Sequence, residues 1–274
     1  MGHRLVRCHP TVHHTAAHVV QRQHDSQRVP VQVVSRARPD PAWGHDDPVD
    51  IQRLARPWHI LTAVVVWAAL IFQFILIVRG GVVLDETAPV PLATRLVRFI
   101  SYFTVLTNIL VAATATTLAL GHDTTGHWWR VLRLNAIIGI AVTGLVHWFF
   151  LRPLMNLSGG DYVADKLLHV VAPLLAVIGW AVFGPRGRAD RSVLWPSLIY
   201  PIGWLVYTLV RGAIVDWYPY PFLDVNLHGY PRALLACAAV AVLLLALTWA
   251  AIKLDPRLPG THDDASERRA VSAR

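Results

Sequence analysis

Apolar residues fall into six blocks along this chain, at about residues 58–78, 96–120, 128–151, 167–183, 193–214 and 232–252. At about 1.5 Å per residue, each block is long enough to cross a bilayer as a helix. The punctuation between them is polar. Arg79-Gly80-Gly81 closes the first block, and Arg152-Pro153 stops the third. Residues 156–166 form a polar loop, and Gly184-Pro185 ends the fourth block. Trp128-Trp129-Arg130 suits the interfacial belt at the start of the third. The second block breaks the apolar pattern from within. Ser101, Thr104, Thr107 and Asn108 recur at i, i+3, i+4 spacing and predict one polar stripe along one helix. Such a stripe is either interhelical hydrogen-bond glue or the wall of a site.

Composition turns these blocks into a fold class. The 274 residues are 54% hydrophobic and 15% charged, with mean hydropathy +0.43, whereas a soluble domain carries about a quarter charged residues. The expectation is an all-α, multi-pass membrane protein: a six-helix transmembrane bundle over residues 57–253, with polar tails at 1–56 and 254–274. Residues 1–56 hold no apolar run and seven of the fourteen histidines, a composition that predicts a disordered, basic tail. Within it, His9/His13 and His14/His18 have the spacing of a helical metal site beside Cys8. Metal binding there competes with an accidental composition, and no metal or cofactor is expected. Cys8 and Cys237 make no plausible pair.

The net charge of +8 would suggest nucleic acid in a soluble protein. Here the arginines read as topology signals, so the expected partners are membrane lipids and not nucleic acid. Six spans put both termini on one side. Arg130, Arg133, Arg186, Arg188, Arg191 and the residues from Lys253 onward then share that side. The opposite loops are diluted by Asp85, Glu86, Asp161, Asp165, Asp216 and Asp224. The positive-inside rule therefore predicts a cell-membrane protein with cytoplasmic N- and C-termini.

Chemistry gathers in the outer half of this bundle. On a continuous second helix, Thr104 lies about eight residues, roughly 12 Å, below the outer end. His169 and His147 each lie about one turn below the outer ends of their spans, and Asp165 precedes His169 by four residues. A threonine hydroxyl becomes a nucleophile when a base removes its proton, a neutral histidine is the usual base, and a carboxylate can orient that histidine. The competing readings are an interfacial His169 bonded to a neighbouring helix and an aromatic-belt His147 beside Trp148. After the fifth block, Pro219 and Pro221 prevent helix continuation. Trp217, Tyr218, Tyr220 and Phe222, with Asp224 following, form either a lid over the site or a plain aromatic belt.

Three patches carry a family resemblance. Tyr102-Phe103-Thr104, Leu168-His169 with Pro173 a turn later, and Trp217-Tyr218-Pro219-Tyr220-Pro221-Phe222-Leu223-Asp224 occur in order across residues 58–253. Together they resemble the androgen-induced gene and androgen-dependent TFPI-regulating protein family of six-helix membrane proteins, in a bacterial form. The resemblance implies an intramembrane threonine hydrolase that cleaves lipid esters, including fatty-acid esters of hydroxy fatty acids. By it Thr104 is the nucleophile and His169 its base. Asn108 or Ser101 would then polarise the ester carbonyl, with Thr107 a substitute nucleophile. The alternative is a non-enzymatic membrane protein that binds or transports a lipid or small molecule. Pro196, Pro201 and Gly203 do interrupt the fifth block, but no matching interruption marks an inverted repeat.

Overall fold

A computed structural model describes residues 51–80, 90–122 and 125–259. The stretches 1–50 and 260–274, with the tail histidines and most of the expected disorder, lie outside the described residues. Among the described residues every regular element is helical: α1 (Ala55–Val78), α2 (Leu92–Ser101), α3 (Phe103–Ala119), α4 (His127–Val146), α5 (Gly159–Lys166), α6 (Ala172–Phe183), α7 (Arg191–Ser197), α8 (Ile199–Val215) and α9 (Val225–Leu254). Five helical stretches are long and apolar enough to cross a membrane, or six if the bent pair α2–α3 counts as one.

That bend corrects the expected second helix. Tyr102 is extended (φ −72°, ψ 128°), and α2 and α3 meet at 65°. Tyr, Phe and Thr are weaker helix formers than the flanking Leu and Ala, and the polar groups freed by the break find distant partners. Trp204 Nε1 donates to the Ser101 carbonyl at 2.9 Å. The Thr104 N–H donates to the Tyr220 hydroxyl at 3.2 Å. The Tyr102 carbonyl starts α3 by accepting from Val105 and Leu106 at 3.1 and 3.3 Å. The single polar stripe is therefore split. Ser101 closes α2, while Thr104, Thr107 and Asn108 lie on α3, with Thr104 in its first turn rather than deep within a longer helix.

Two other helices carry an inserted turn. The third runs on from α4 through a π-helical turn, His147–Leu151. The fourth starts eight residues earlier than expected, at Gly159, and joins α5 to α6 through a second π turn, Leu167–Val171. Residues 159–166, expected as loop, are thus helical, and Asp165 sits inside the helix one turn before His169. The last helix also starts early, at Val225, and kinks at Gly229, whose φ of 73° suits glycine and few other residues.

Helices α1, α3, α4 and α6 pack on one another to form the core. Small buried residues such as Ala69, Ala112, Ala136 and Ala176 let the helices approach closely. Helices α8 and α9 are peripheral. Ile199, Ile202, Val206, Val210 and Ile214 on α8, and Leu235, Val242 and Trp249 on α9, leave broad apolar surface exposed.

The expected tail boundaries shift at both ends because adjoining residues pack. Before α1, a 3₁₀ turn spans Ile51–Leu54, and Arg56 Nε donates to the Ala119 carbonyl at 3.0 Å. After α9, Asp255 is buried. It pairs with the buried Arg186 guanidinium at 3.4 Å and accepts the backbone N–H groups of Arg188 and Ala189 at 3.1 and 3.3 Å. Arg186 in turn donates to the carbonyls of Trp180, Ala181 and Pro259. The segment between α6 and α7 is thereby clasped to the end of α9.

Candidate active site

Thr104 is the second residue of α3, so its backbone N–H has no acceptor within the helix. No side chain of the preceding residues caps it. The cap comes instead from the loop between α8 and α9. Tyr220 Oη lies 3.2 Å from both the Thr104 nitrogen and Thr104 Oγ1. Burial pushes the Tyr220 phenol above its ordinary pKa, which keeps its proton available for donation. Thr104 is buried, and its hydroxyl lies 3.4 Å from His169 Nε2.

His169 and His147 both belong to π turns. A π turn inserts a residue and re-aims the side chains that follow. Here the two rings stack, with centroids 4.0 Å apart and planes at 16°. His169 Nδ1 is 3.1 Å from both the Asp165 backbone carbonyl and Asp165 Oδ1. Only the carbonyl is aligned to accept a hydrogen bond. Oδ1 has no aligned donor and acts on the ring by its charge. A proton held on Nδ1 by that carbonyl leaves the Nε2 lone pair facing Thr104, the tautomer a base requires. The other Asp165 oxygen, Oδ2, is 2.7 Å from Lys166 Nζ. His147 Nε2 is 3.4 Å from Oδ1 without hydrogen-bond alignment, and its ring is 1% exposed.

Several expected participants are engaged elsewhere. Asn108 Nδ2 donates to the carbonyls of Thr104 (2.8 Å) and Leu168 (3.4 Å), tying α3 to the His169 helix. Both amide protons are spent there, so none is left to polarise a substrate carbonyl. Ser101 Oγ bonds Val97 O at 2.6 Å and Tyr207 Oη at 2.8 Å. Thr107 Oγ1 pairs with Tyr200 Oη at 2.8 Å. The Tyr200, Trp204 and Tyr207 partners lie at i, i+4 and i+7 on α8. That aromatic face is visible in the sequence and was not among the expected site residues.

The loop from Trp217 to Asp224 is folded inward. The Arg98 and Arg211 guanidiniums both lie over the Trp217 ring, 4.8 and 5.0 Å from its centre. The Tyr218 ring lies so close to Gly212 that a Cβ there would sit 2.1 Å from it. Tyr220 and Phe222 stack at 5.4 Å. Asp224 stands apart from the pocket: its Oδ1 caps α9 by accepting from Asn226 and Leu227 at 2.9 and 3.2 Å.

Two cavities meet at Thr104, Leu151 and Tyr220. The larger, about 200 Å³, is almost wholly apolar, with Val142, Trp204, Phe222, Val240 and Leu244 in its walls. It reaches the exterior beside α8 and α9, where the lining residues Ile202 and Leu245 are 55% and 43% exposed. The smaller, about 40 Å³, is lined by Gln73, Tyr102, His147 and His169 among others. It is roomy enough for roughly three waters at about 10–15 Å³ each. No family model, curated protein or solved structure matches this chain.

Proposed function

We propose that this protein is a six-span membrane hydrolase that cleaves lipid esters with Thr104 as nucleophile and His169 as base. The observation that carries the reading is the hydroxyl–imidazole pair at 3.4 Å, with the far side of the ring tethered to Asp165, at the head of an apolar cavity. The patches resembling the six-helix hydrolase family include Thr104, His169 and Tyr220, which meet in space. In this mechanism Thr104 Oγ1 attacks the ester carbonyl carbon as its proton passes to His169 Nε2. The Tyr220 hydroxyl donates to the developing oxyanion, polarised by the Thr104 N–H that it accepts. Collapse breaks the ester C–O bond, and the alkoxide leaves with the proton from His169. A water entering through the small polar cavity is then deprotonated by His169 and hydrolyses the acyl-threonine. The apolar cavity takes the acyl chain, since apolar atoms bury favourably there.

The apolar exterior of α8 and α9 suits lipid, and the arginine asymmetry favours cytoplasmic termini with the site in the outer half. In a variant lacking Cys8 and Cys237, Ser158→Cys is expected to react with an impermeant thiol reagent added to intact cells, and Arg191→Cys to stay unlabelled. The reverse pattern inverts the bundle.

The chemistry is tested by exposing purified protein to a fluorophosphonate probe and sequencing the modified peptide. An adduct on Thr104 that disappears in His169→Ala is expected. An adduct on Thr107 moves the nucleophile one turn along. No adduct at all leaves a lipid-binding protein without turnover.

A further inference from the structure

We infer that His147, Asp165 and His169 form a binding site for one divalent transition-metal ion, with zinc the best match. Among the described residues this is the one cluster of three His, Cys, Asp or Glu side chains whose ligand atoms all lie within 4.8 Å of one another. His147 Nε2 is 3.4 Å and His169 Nδ1 3.1 Å from Asp165 Oδ1. Tetrahedral zinc, with ligands at about 2.0–2.1 Å, separates them by roughly 3.4 Å. Two of the three edges are thus within a few tenths of an ångström of the tetrahedral spacing, and the stacked rings, with planes at 16°, turn so that their in-plane lone pairs converge on the ion.

A second observation points to a ligand. His147 Nδ1, His147 Nε2 and Asp165 Oδ1 are buried without a hydrogen-bond partner, and side chains as buried as these, 1% and 6% exposed, normally have one. An ion held in the ring plane of His147 at Nε2 and against Oδ1 would satisfy both atoms together. The donor set of two imidazoles and one carboxylate suits zinc better than magnesium or calcium, which prefer oxygen alone. Lys166 is a positive charge in contact with the cluster. It holds Oδ2 rather than Oδ1 and is partly exposed, so its flexible stem can move the ammonium outward.

Occupancy has a consequence for the proposed reaction, and this part rests on the hydrolase reading. A metal on His169 Nδ1 displaces that nitrogen's proton to Nε2. Nε2 then donates toward Thr104 and can no longer accept its proton. Zinc is therefore an inhibitor of the hydrolase, acting on the far side of the base.

The test uses the full chain, purified in detergent, stripped with a chelator and dialysed against zinc chloride. Bound zinc is read by elemental analysis, and affinity by titration calorimetry. His147→Ala and Asp165→Asn are each expected to bind one zinc ion fewer per chain than the parent, or to bind that ion at least about 10-fold more weakly. Metal held by the tail histidines is the same in all three proteins and cancels. Asp165→Asn is nearly isosteric, so it gives a result even if His147→Ala fails to fold. Equal zinc content in the parent and a folded variant overturns the site, whatever the activity. With the site present, zinc should inhibit ester hydrolysis by the parent and not by the variants. Zinc that binds but stimulates hydrolysis keeps the site and overturns the inhibition. A protein that binds zinc but is inactive when metal-free keeps the site and overturns the hydrolase.

Discussion

Thr104→Ala is expected to lower kcat/KM for a lipid ester by at least about 10³-fold, the scale on which removing a nucleophile or its base acts. His169→Ala should do the same. The double variant should lose little more, because a nucleophile and its base act as one unit and their losses do not add. Initial rates with a fluorogenic long-chain ester, measured on protein in vesicles, supply the comparison. All three variants should insert and fold, since trimming one polar side chain in a membrane bundle costs about 1 kcal/mol. Thr107→Ala is the control. Its hydroxyl already pairs with Tyr200 at 2.8 Å, so most of the rate should survive. Additive losses at Thr104 and His169, or a dead Thr107→Ala beside an active Thr104→Ala, would sink the assignment.

The largest expected effect on stability lies at the other end of the bundle. Asp255→Ala removes the counter-charge of Arg186 and the acceptor for two backbone N–H groups. Breaking a buried ion pair from one side costs about 3–5 kcal/mol, because the remaining charge stays buried without compensation. In a protein of this size that lowers Tm by roughly 10 °C, to be read from intrinsic fluorescence during heating in detergent. Replacing both partners, as in Arg186→Met with Asp255→Leu, should recover part of the loss, since the Arg186 charge goes with its partner while the two backbone N–H groups stay without their acceptor. A single variant that melts with the parent would show that the clasp contributes nothing to stability.

The helical segments were legible because each is a long apolar block, and hydropathy reports that directly. Their interruptions were not. The break at Tyr102 is stabilised by Trp204 and Tyr220, both about a hundred residues away, and no local pattern announces such partners. The π turns that carry His147 and His169 are equally silent, since an inserted residue leaves composition unchanged while re-aiming every side chain beyond it. Thr104 and His169 stood out as polar groups within apolar blocks and in recognisable patches. Ser101 and Asn108 stood out for the same reason, yet their polar atoms bond a carbonyl four residues back on their own helix. Spacing alone cannot separate a hydroxyl that bonds its own backbone from one that faces a base. The end of the bundle was misplaced near Lys253 because the residues beyond it are polar, and only the tertiary pairing with Arg186 explains why Asp255 is buried.

The apolar cavity reaches the exterior beside α8 and α9, through Ile202 and Leu245. In a bilayer such a mouth samples substrate in two dimensions. For the proposed hydrolase, encounter frequency would then be set by the mole fraction of ester among the surrounding lipids, not by its amount per volume of buffer. The same quantity of ester spread through more inert lipid would be hydrolysed more slowly, although nothing about the aqueous phase had changed. The released fatty acid would return to the leaflet it came from, while the alcohol portion would partition by its own polarity.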